Sequence, residues 1–212
     1  LLLDEGDPFT NLGLQKSISK IKSRRIFSDV SFNVSDGSKS NLKIVDIDVE
    51  EQPTGEISAG AGIGTDGGSF AFTISENNWL GEGKKVDFDI EINEESISGE
   101  LNFTDPNYDF LGNSLNYYFA STSNDKPDQG YENSLFTAGI STTFEQYKDI
   151  FATFGIASSY DDLRTDGSAS DSLKKQAGEF AELVGRYGFK YDKRNRAFMP
   201  TGGSVISFSQ DL

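Results

Sequence analysis

The chain has 212 residues, of which 34 are acidic and 19 basic, and its formal net charge at pH 7 is -15. This acidity argues against a phosphate backbone as the main binding partner, so we expect no nucleic acid to bind. Only 35% of the residues are hydrophobic, and no segment approaches the roughly 18 apolar residues of a membrane-spanning helix, whereas the half-apolar strands of a membrane barrel are compatible with this composition.

The first predicted element is an amphipathic helix over residues 10–25, which either Thr10 or Asn11 can cap at its start. Apolar side chains recur along one face with helical spacing, at Leu14, Ile18 and Ile21. Basic side chains lie on the other faces, where they form either a solvated surface or a contact with a partner lipoprotein or nascent chain: Lys16, Lys20, Lys22 and Arg24.

Two strands are predicted after the helix, over residues 29–35 and 42–50, because apolar and polar residues alternate in both and a turn-rich segment joins them. Helix, strand and strand together make a small α+β unit. Residues 52–55 then interrupt the alternation, since Pro53 removes a backbone donor and Gly55 relaxes the chain. We therefore predict two domains, residues 1–53 and 54–212.

About nine further strands are predicted after this boundary, each an alternating run followed by a turn. The clearest run covers residues 86–93, with Val86, Phe88, Ile90 and Ile92 on one face and Asp87, Asp89, Glu91 and Asn93 on the other. A soluble protein buries the apolar face, whereas an outer-membrane barrel turns it toward lipid, and alternation alone does not decide between them. The predicted strands lie near residues 56–64, 69–76, 85–93, 97–104, 114–123, 135–144, 150–160, 183–192 and 204–210.

The connections between these strands alternate in character. One set is acidic and lengthens along the chain: 65–68, 94–95, 124–132 and 161–179. The other set mostly carries aromatic residues with glycine or proline: 77–83, 105–112, 145–149 and 192–203. Growing polar loops at one end and tighter turns at the other are typical of outer-membrane barrels. We also predict a helical segment at 172–183 inside the longest loop, and aromatic side chains near a membrane interface at Trp79, Tyr108, Phe110 and Phe198.

Four motifs carry a resemblance to a known family. Residues 49–65, followed by Asn78, Trp79, Leu80 and Gly81, resemble the junction between the last POTRA domain and the first barrel strand in the BamA family of outer-membrane protein assembly factors, a family of POTRA and β-barrel insertases. Residues 5–9 and 25–30 resemble the turn before the second POTRA helix and the exit from it. A further segment resembles the family's aromatic-Pro-Thr-x-Gly turn, except that Met199 separates the aromatic residue from the proline: Phe198, Pro200, Thr201 and Gly203.

The resemblance implies a mainly β fold: a partial antiparallel up-and-down transmembrane β-barrel of about nine strands, preceded by a truncated α+β POTRA domain. Residues 1–53 are then the carboxyl-terminal part of the POTRA domain, in the periplasm, and residues 54–212 the amino-terminal half of the barrel, in the bacterial outer membrane. The implied activity is folding and insertion of other barrel proteins. The implied partners are nascent outer-membrane β-barrel proteins, accessory lipoproteins and outer-membrane lipid, and neither enzymatic activity nor a cofactor is implied.

The chain also departs from the family pattern. The Arg-Gly-aromatic motif of the long loop late in the barrel is absent, because residues 184–187 differ from it, and no closing strand with a terminal aromatic occurs. We therefore expect a fragment without the second half of the barrel. Two alternatives stay open: a POTRA-barrel exporter of the two-partner-secretion type, which passes its substrate through the lumen, and a soluble β-rich protein that buries its apolar faces and binds a ligand.

The first barrel strand, residues 56–64, supplies a physical hypothesis for the activity. Its small residues and repeated glycines give weak packing and a mobile backbone, and an opened edge exposes N–H and C=O groups that are costly in lipid until another strand completes them. We predict that this strand is the edge on which substrate strands form by β-augmentation. The lipid side would carry Ile57, Ala59, Ala61 and Ile63, and the lumen side Glu56, Ser58, Gly60, Gly62 and Gly64.

Enzyme-like patterns in the chain are weak. The absence of His and Cys excludes Ser-His-Asp and Cys-His arrangements and makes a zinc site unusual. Residues 62–67 match G-x-G-x-x-G, but a strand rather than a helix follows, which favours a hairpin. Loop 161–171 has Arg164 where a calcium loop needs Asp or Asn, and the same-face acids of residues 87–91 indicate a lumen-facing strand rather than a carboxylate dyad. We predict no catalytic residue and no metal site.

Overall fold

The computed structural model describes residues 5–39, 41–64, 67–109, 111–195 and 199–212. The chain divides into two compact units, the first ending at Thr54 and the second beginning at Gly55. Within the described ranges, no helix combines the length and the apolar character needed to cross a membrane.

The first unit consists of helix α1 (Asn11–Ser23) and a hairpin of β1 (Phe27–Asp36) and β2 (Lys43–Glu51). The hydroxyl of Thr10 caps α1 by accepting the backbone N–H of Gly13 at 3.1 Å. Burial of one helix face against the hairpin forms the core of this unit. The predicted order of helix, strand and strand is confirmed, with boundaries that differ by one or two residues. The buried core consists of Leu14, Ile18 and Val30.

The second unit is a nine-stranded antiparallel sheet in which each strand pairs with its neighbours in the chain, so β3 and the last strand are its edges. This up-and-down order confirms the predicted fold class. The strands are β3 (Gly55–Gly64), β4 (Gly67–Trp79), β5 (Lys84–Asn93), β6 (Ser96–Asp105), β7 (Ser114–Lys126), β8 (Tyr131–Tyr147), β9 (Ile150–Thr165), β10 (Gly178–Asp192) and β11 (Val205–Asp211).

The connections fall into two sets at opposite ends of the sheet. The described residues of the turn-end connections are 80–83, 106–109, 111–113, 148–149, 193–195 and 199–204, and those of the loop-end connections are 94–95, 127–130 and 166–177. The loop-end connections lengthen along the chain, as predicted. Residues 65–66 and Phe110 lie outside the described residues.

Strands β7 to β10 extend further toward the loop end than the sequence predicts. Part of the predicted loop 124–132 belongs to β7 and β8, and residues 161–165 belong to β9. These polar residues still pair as strand, for example Glu132 opposite Arg164, because backbone hydrogen bonding does not require apolar side chains. The predicted helix at 172–183 is also too long: α2 covers Asp171–Gln176, and residues from Gly178 pair with β9 instead.

The sheet has one apolar face and one polar face. The register aligns apolar residues across strands, for example Ile74 opposite Phe88 and Leu101 opposite Phe119. Most of this face is uncovered: Phe119 is 43% exposed and Phe154 47%, and Ala152 is the one fully buried apolar side chain among the described strand residues of this unit. An apolar surface of this extent is typical of contact with lipid or another protein and disfavours a soluble protein that buries it.

Candidate functional site

Strand β3 is an open edge of the sheet. It pairs with β4 from Gly55 opposite Glu76 to Gly64 opposite Gly67, and its other side has no partner strand among the described residues. Every residue of β3 is exposed. The apolar face of the sheet contains Ile57, Ala59, Ala61 and Ile63, and the polar face contains Glu56, Ser58, Gly60, Gly62 and Gly64. As an edge strand, β3 has backbone groups on one side that pair with no strand among the described residues, and the same holds for β11 at the other edge.

Side chains hold β3 to β4 only weakly. A Cβ placed on Gly60 would meet nothing within 4 Å, and one on Gly62 would meet only the hydroxyl of Ser69, at 3.2 Å. Among the described residues, the polar side chains of β3, Glu56 and Ser58, form no hydrogen bond or ion pair with β4. The cohesion of this strand pair therefore rests on backbone hydrogen bonds and on apolar pairs, such as Ile57 opposite Ile74 and Ala59 opposite Phe72.

The next strand pair, β4 with β5, is joined more firmly. The hydroxyl of Thr73 donates to the carboxylate of Asp89 at 2.6 Å, and the hydroxyl of Ser75 donates to the carboxylate of Asp87 at 2.6 Å. Hydrogen bonds to a charged group are among the stronger side-chain interactions in proteins. The contrast makes β3 a weakly held strand beside a well-anchored one.

The polar face of these first strands is acidic. A cavity of about 280 Å³ lies on it, lined by Thr73, Asp89, Glu91, Glu100 and Tyr118 among others. The carboxylates at every second position of β5 share this face because of the strand period. Hydroxyl groups on β4 donate hydrogen bonds to two of these carboxylates, Asp87 and Asp89. The carboxylates therefore form part of a hydrogen-bonded polar surface.

The Asn78-Trp79-Leu80-Gly81 motif closes the turn between β4 and β5. The side-chain oxygen of Asn78 accepts the N–H of Gly83 at 2.7 Å, and its carbonyl oxygen accepts the N–H of Gly81 at 2.9 Å. Leu80 and Gly81 have φ values of 55° and 77°, which glycine adopts freely and leucine rarely. Asn78 and Trp79 extend β4, although the sequence assigned them to the connection.

The second turn motif is organised by a residue that the sequence analysis missed. The side-chain oxygen of Asn195 accepts the N–H of Thr201 at 3.1 Å, and its amide donates to the Thr201 hydroxyl at 2.8 Å. Gly203 has a φ of 99°, and Pro200 directly precedes Thr201 in the turn. Phe198 lies outside the described residues. An asparagine ahead of a Pro-Thr-Gly turn is the signal that could have identified this clamp.

The remaining sequence candidates occupy structural positions. Gly64 and Gly67 pair across a hairpin and a strand follows, as the strand pattern predicted. Arg164 pairs with Asp162 at 2.7 Å on β9 instead of completing a calcium loop. On α1, Lys16, Lys20 and Lys22 are exposed, and a partner for this basic surface stays a prediction.

Comparison with known proteins places the chain in a family. Residues 78–212 match the model of the Omp85 superfamily domain. Outer membrane protein assembly factor BamA of Neorickettsia risticii (strain Illinois) is 24% identical over 211 residues, which cover 98% of this chain and 28% of that protein. Outer membrane protein assembly factor BamA of Neisseria meningitidis serogroup B is 25% identical over 195 residues, which cover 87% of this chain and 23% of that protein.

The fold comparison agrees with the sequence comparison. The crystal structure of BamA from Haemophilus ducreyi lacking POTRA domains 1–3 superposes with a TM-score of 0.73 at 20% identity, covering 99% of this chain and 43% of that one. The resemblance that the motifs indicated is confirmed. The chain spans about a quarter of the length of the two BamA relatives, at 28% and 23%.

Proposed function

The chain belongs to the Omp85 superfamily, and from this premise we propose that it is part of an outer-membrane protein assembly factor of the BamA type. In this proposal residues 1–53 are the end of a POTRA domain in the periplasm, and residues 54–212 are the first strands of a barrel in the bacterial outer membrane. The names of the two BamA relatives and the match of nearly the whole chain to a BamA fold support this assignment.

The proposed activity is folding and insertion of nascent β-barrel proteins, with β3 as the strand on which substrate strands form. The observation that carries this proposal is the difference between neighbouring strand pairs. Hydroxyl–carboxylate hydrogen bonds anchor β4 to β5, whereas β3 is held to β4 through its backbone and through apolar side chains. A firmly anchored neighbour lets β3 move without loss of the sheet.

The energetic role of the membrane follows from the two faces of the sheet. With the apolar face in lipid, water is absent from the free edge of β3. Each backbone N–H or C=O group that stays unpaired there then costs on the order of several kcal/mol. A substrate strand that pairs with this edge removes the penalty by β-augmentation. Assembly then proceeds through strand pairing, without catalytic residues or a cofactor. Accessory lipoproteins are further proposed partners, with the basic surface of α1 as one contact.

Site-specific photo-crosslinking in the full-length protein tests this proposal. A photoreactive residue replaces Ser58 or Gly60 of β3, or, as matched controls on the same polar face, Ser98 of β6 or Thr122 of β7. A stalled barrel substrate is then supplied in membranes. We expect adducts from the β3 positions and at least fivefold fewer from β6 and β7. Equal or stronger labelling from Ser98 and Thr122 would contradict templating at β3 and favour passage through the lumen, as in an exporter.

A further inference from the structure

Three successive turns at the turn end carry large apolar side chains that no described residue covers. Leu80 is 80% exposed, Leu111 is 76% exposed, and Tyr147, beside the next turn, is 69% exposed. The described connections at the loop end contain no large apolar side chain of comparable exposure: 94–95, 127–130 and 166–177. Leu80 and Leu111 are therefore exposed apolar tips of turn-end connections, whereas Ile63, which is 95% exposed near the loop end, belongs to the edge strand β3 and not to a connection.

Several backbone N–H groups beside Leu80 and Leu111 find their acceptors within the same turn. In the first turn, Asn78 accepts the N–H groups of Gly81 and Gly83. In the second, the carboxylate of Asp109 accepts the N–H of Leu111 at 3.0 Å and that of Asn113 at 3.1 Å. Unpaired backbone donors are the main obstacle to placing irregular chain near hydrocarbon. The internal pairing lowers that obstacle at both tips.

Two aromatic residues at or beside these turns continue the apolar face of the sheet. Trp79, next to Leu80, is half exposed and lies opposite Lys84 on the apolar side of β5. Tyr147 lies opposite Ile150 on the apolar side of β9. Leu80 itself occupies the left-handed region with a φ of 55°, a conformation that a bulky residue rarely adopts. The turn keeps a leucine there, with its side chain outside the sheet.

We propose that Leu80, Leu111 and Tyr147 insert into the acyl-chain boundary of the phospholipid leaflet around the turn end, an inference that rests on the membrane placement proposed above. The tips are two strands apart, roughly 10 Å at ordinary strand spacing, and are not gathered into a groove. A leaflet receives separate apolar side chains without requiring a pocket or a fixed spacing between them. The turns then act as anchors that fix the depth of the first strands in the membrane.

Depth-dependent fluorescence quenching of the full-length protein in phosphatidylcholine vesicles tests this inference. An environment-sensitive fluorophore is attached to single cysteines in the variants L80C and L111C, on a background without other cysteines. Matched controls are E82C, a polar position in the same turn as Leu80, D128C at the loop end, and I140C in the middle of the apolar face. Quenchers are lipids brominated near the headgroup end of the acyl chain, and iodide in the water.

We expect labels at Leu80 and Leu111 to be quenched by the brominated lipid at least threefold more than labels at Glu82 and Asp128, and to be protected from iodide. Iodide quenching at Leu80 and Leu111 equal to that at Asp128, with Ile140 still quenched by lipid, would overturn the anchoring and leave the proposed function standing. Loss of lipid quenching at Ile140 would overturn both. If the labels at Leu80 and Leu111 are protected from iodide only after an unfolded barrel substrate is added, the substrate and not lipid covers these side chains, and the lipid proposal is overturned.

Discussion

The backbone N–H of Asp166 donates to the carbonyl oxygen of Gly130 at 2.9 Å, and this hydrogen bond joins the two longer described connections of the loop end. Gly130 has a φ of 73°, and a Cβ placed on it would lie 2.6 Å from the backbone nitrogen of Ala169. Ala169 is buried against this contact. The fit between the two loops therefore depends on the absence of a side chain at Gly130.

Replacement of Gly130 by alanine is expected to separate the two loops. The left-handed backbone and the close contact together cost about 1–3 kcal/mol locally. Limited trypsin digestion should then cleave several-fold faster after Lys174 and Lys175 in α2. Gly167→Ala is the matched control, because its Cβ would meet nothing within 4 Å. Equal cleavage rates for the two variants would contradict the role of Gly130.

Acid sensitivity of the first hairpin is expected to depend on Lys43. Its ammonium donates a hydrogen bond to the carboxylate of Asp36 and attracts its charge, which lowers the pKa of Asp36 below its ordinary value. Stability from this pair is therefore present above the pKa that Asp36 has in the unfolded chain. It is lost as the pH falls through the lower pKa that Asp36 has in the folded chain. In Lys43→Gln the pKa of Asp36 should rise toward its ordinary value, measured by carboxyl NMR titration. Lys39→Gln should leave it unchanged, and an identical pKa in both variants would contradict the pairing.

Ala152 is expected to be intolerant of larger side chains although it lies on the apolar face. It is 1% exposed, and Phe144 and Phe189 lie opposite it on the two neighbouring strands. Ala152→Leu would overpack this site at a cost of about 1–3 kcal/mol and lower the temperature at which the folded form is lost in heat-modifiable gel migration. Ala181→Leu, at an exposed position of the same face, should have little effect. A similar temperature for both variants would show that the aromatic side chains move aside.

The sequence predicted the central part of each strand but missed the polar loop-end residues of β7 to β10. Apolar and polar residues alternate clearly in β5, and its bounds differ from the prediction by one residue. In β8 and β9 the outer residues, such as Glu132 and Arg164, are polar on both faces, so the contrast that reveals a strand is missing. Only the register, which depends on the neighbouring strand, shows that they pair.

The faces of β3 could be predicted because they follow from the strand period. The anchoring of β4 could not, because the Thr73–Asp89 hydrogen bond joins residues on two strands and requires a known register. Asn195 was missed for a related reason: its contacts with Thr201 depend on the conformation of the turn. Periodicity therefore predicted the positions of side chains within one strand, while contacts between strands and within turns needed the structure.

Removal of the hydroxyl donors on β4 is expected to weaken the anchor beside β3. In the double variant T73V and S75A, the carboxylates of Asp89 and Asp87 each lose a hydrogen bond of 2.6 Å, at about 1–3 kcal/mol in total. The folded form should therefore be lost at lower temperature in gel migration. Ser58→Ala in β3 is the control, because no side-chain hydrogen bond of Ser58 is formed among the described residues. An unchanged temperature in the double variant would refute the proposed anchoring.

A stiffer edge strand is expected to slow insertion while leaving the fold intact. Gly60→Val adds a β-branched side chain where a Cβ meets nothing within 4 Å, and replacing glycine in a strand gains about 0.5–1 kcal/mol. Opening of β3 then becomes roughly two- to fivefold less favourable, and barrel insertion in reconstituted vesicles should slow by a similar factor. Gly185→Val makes the same change in β10, again with nothing within 4 Å, but between two paired strands. A general effect on the sheet would slow insertion equally in both variants, so slowing confined to Gly60→Val would show that the mobility of the edge strand matters. Equal insertion rates in the two variants would contradict templating at β3.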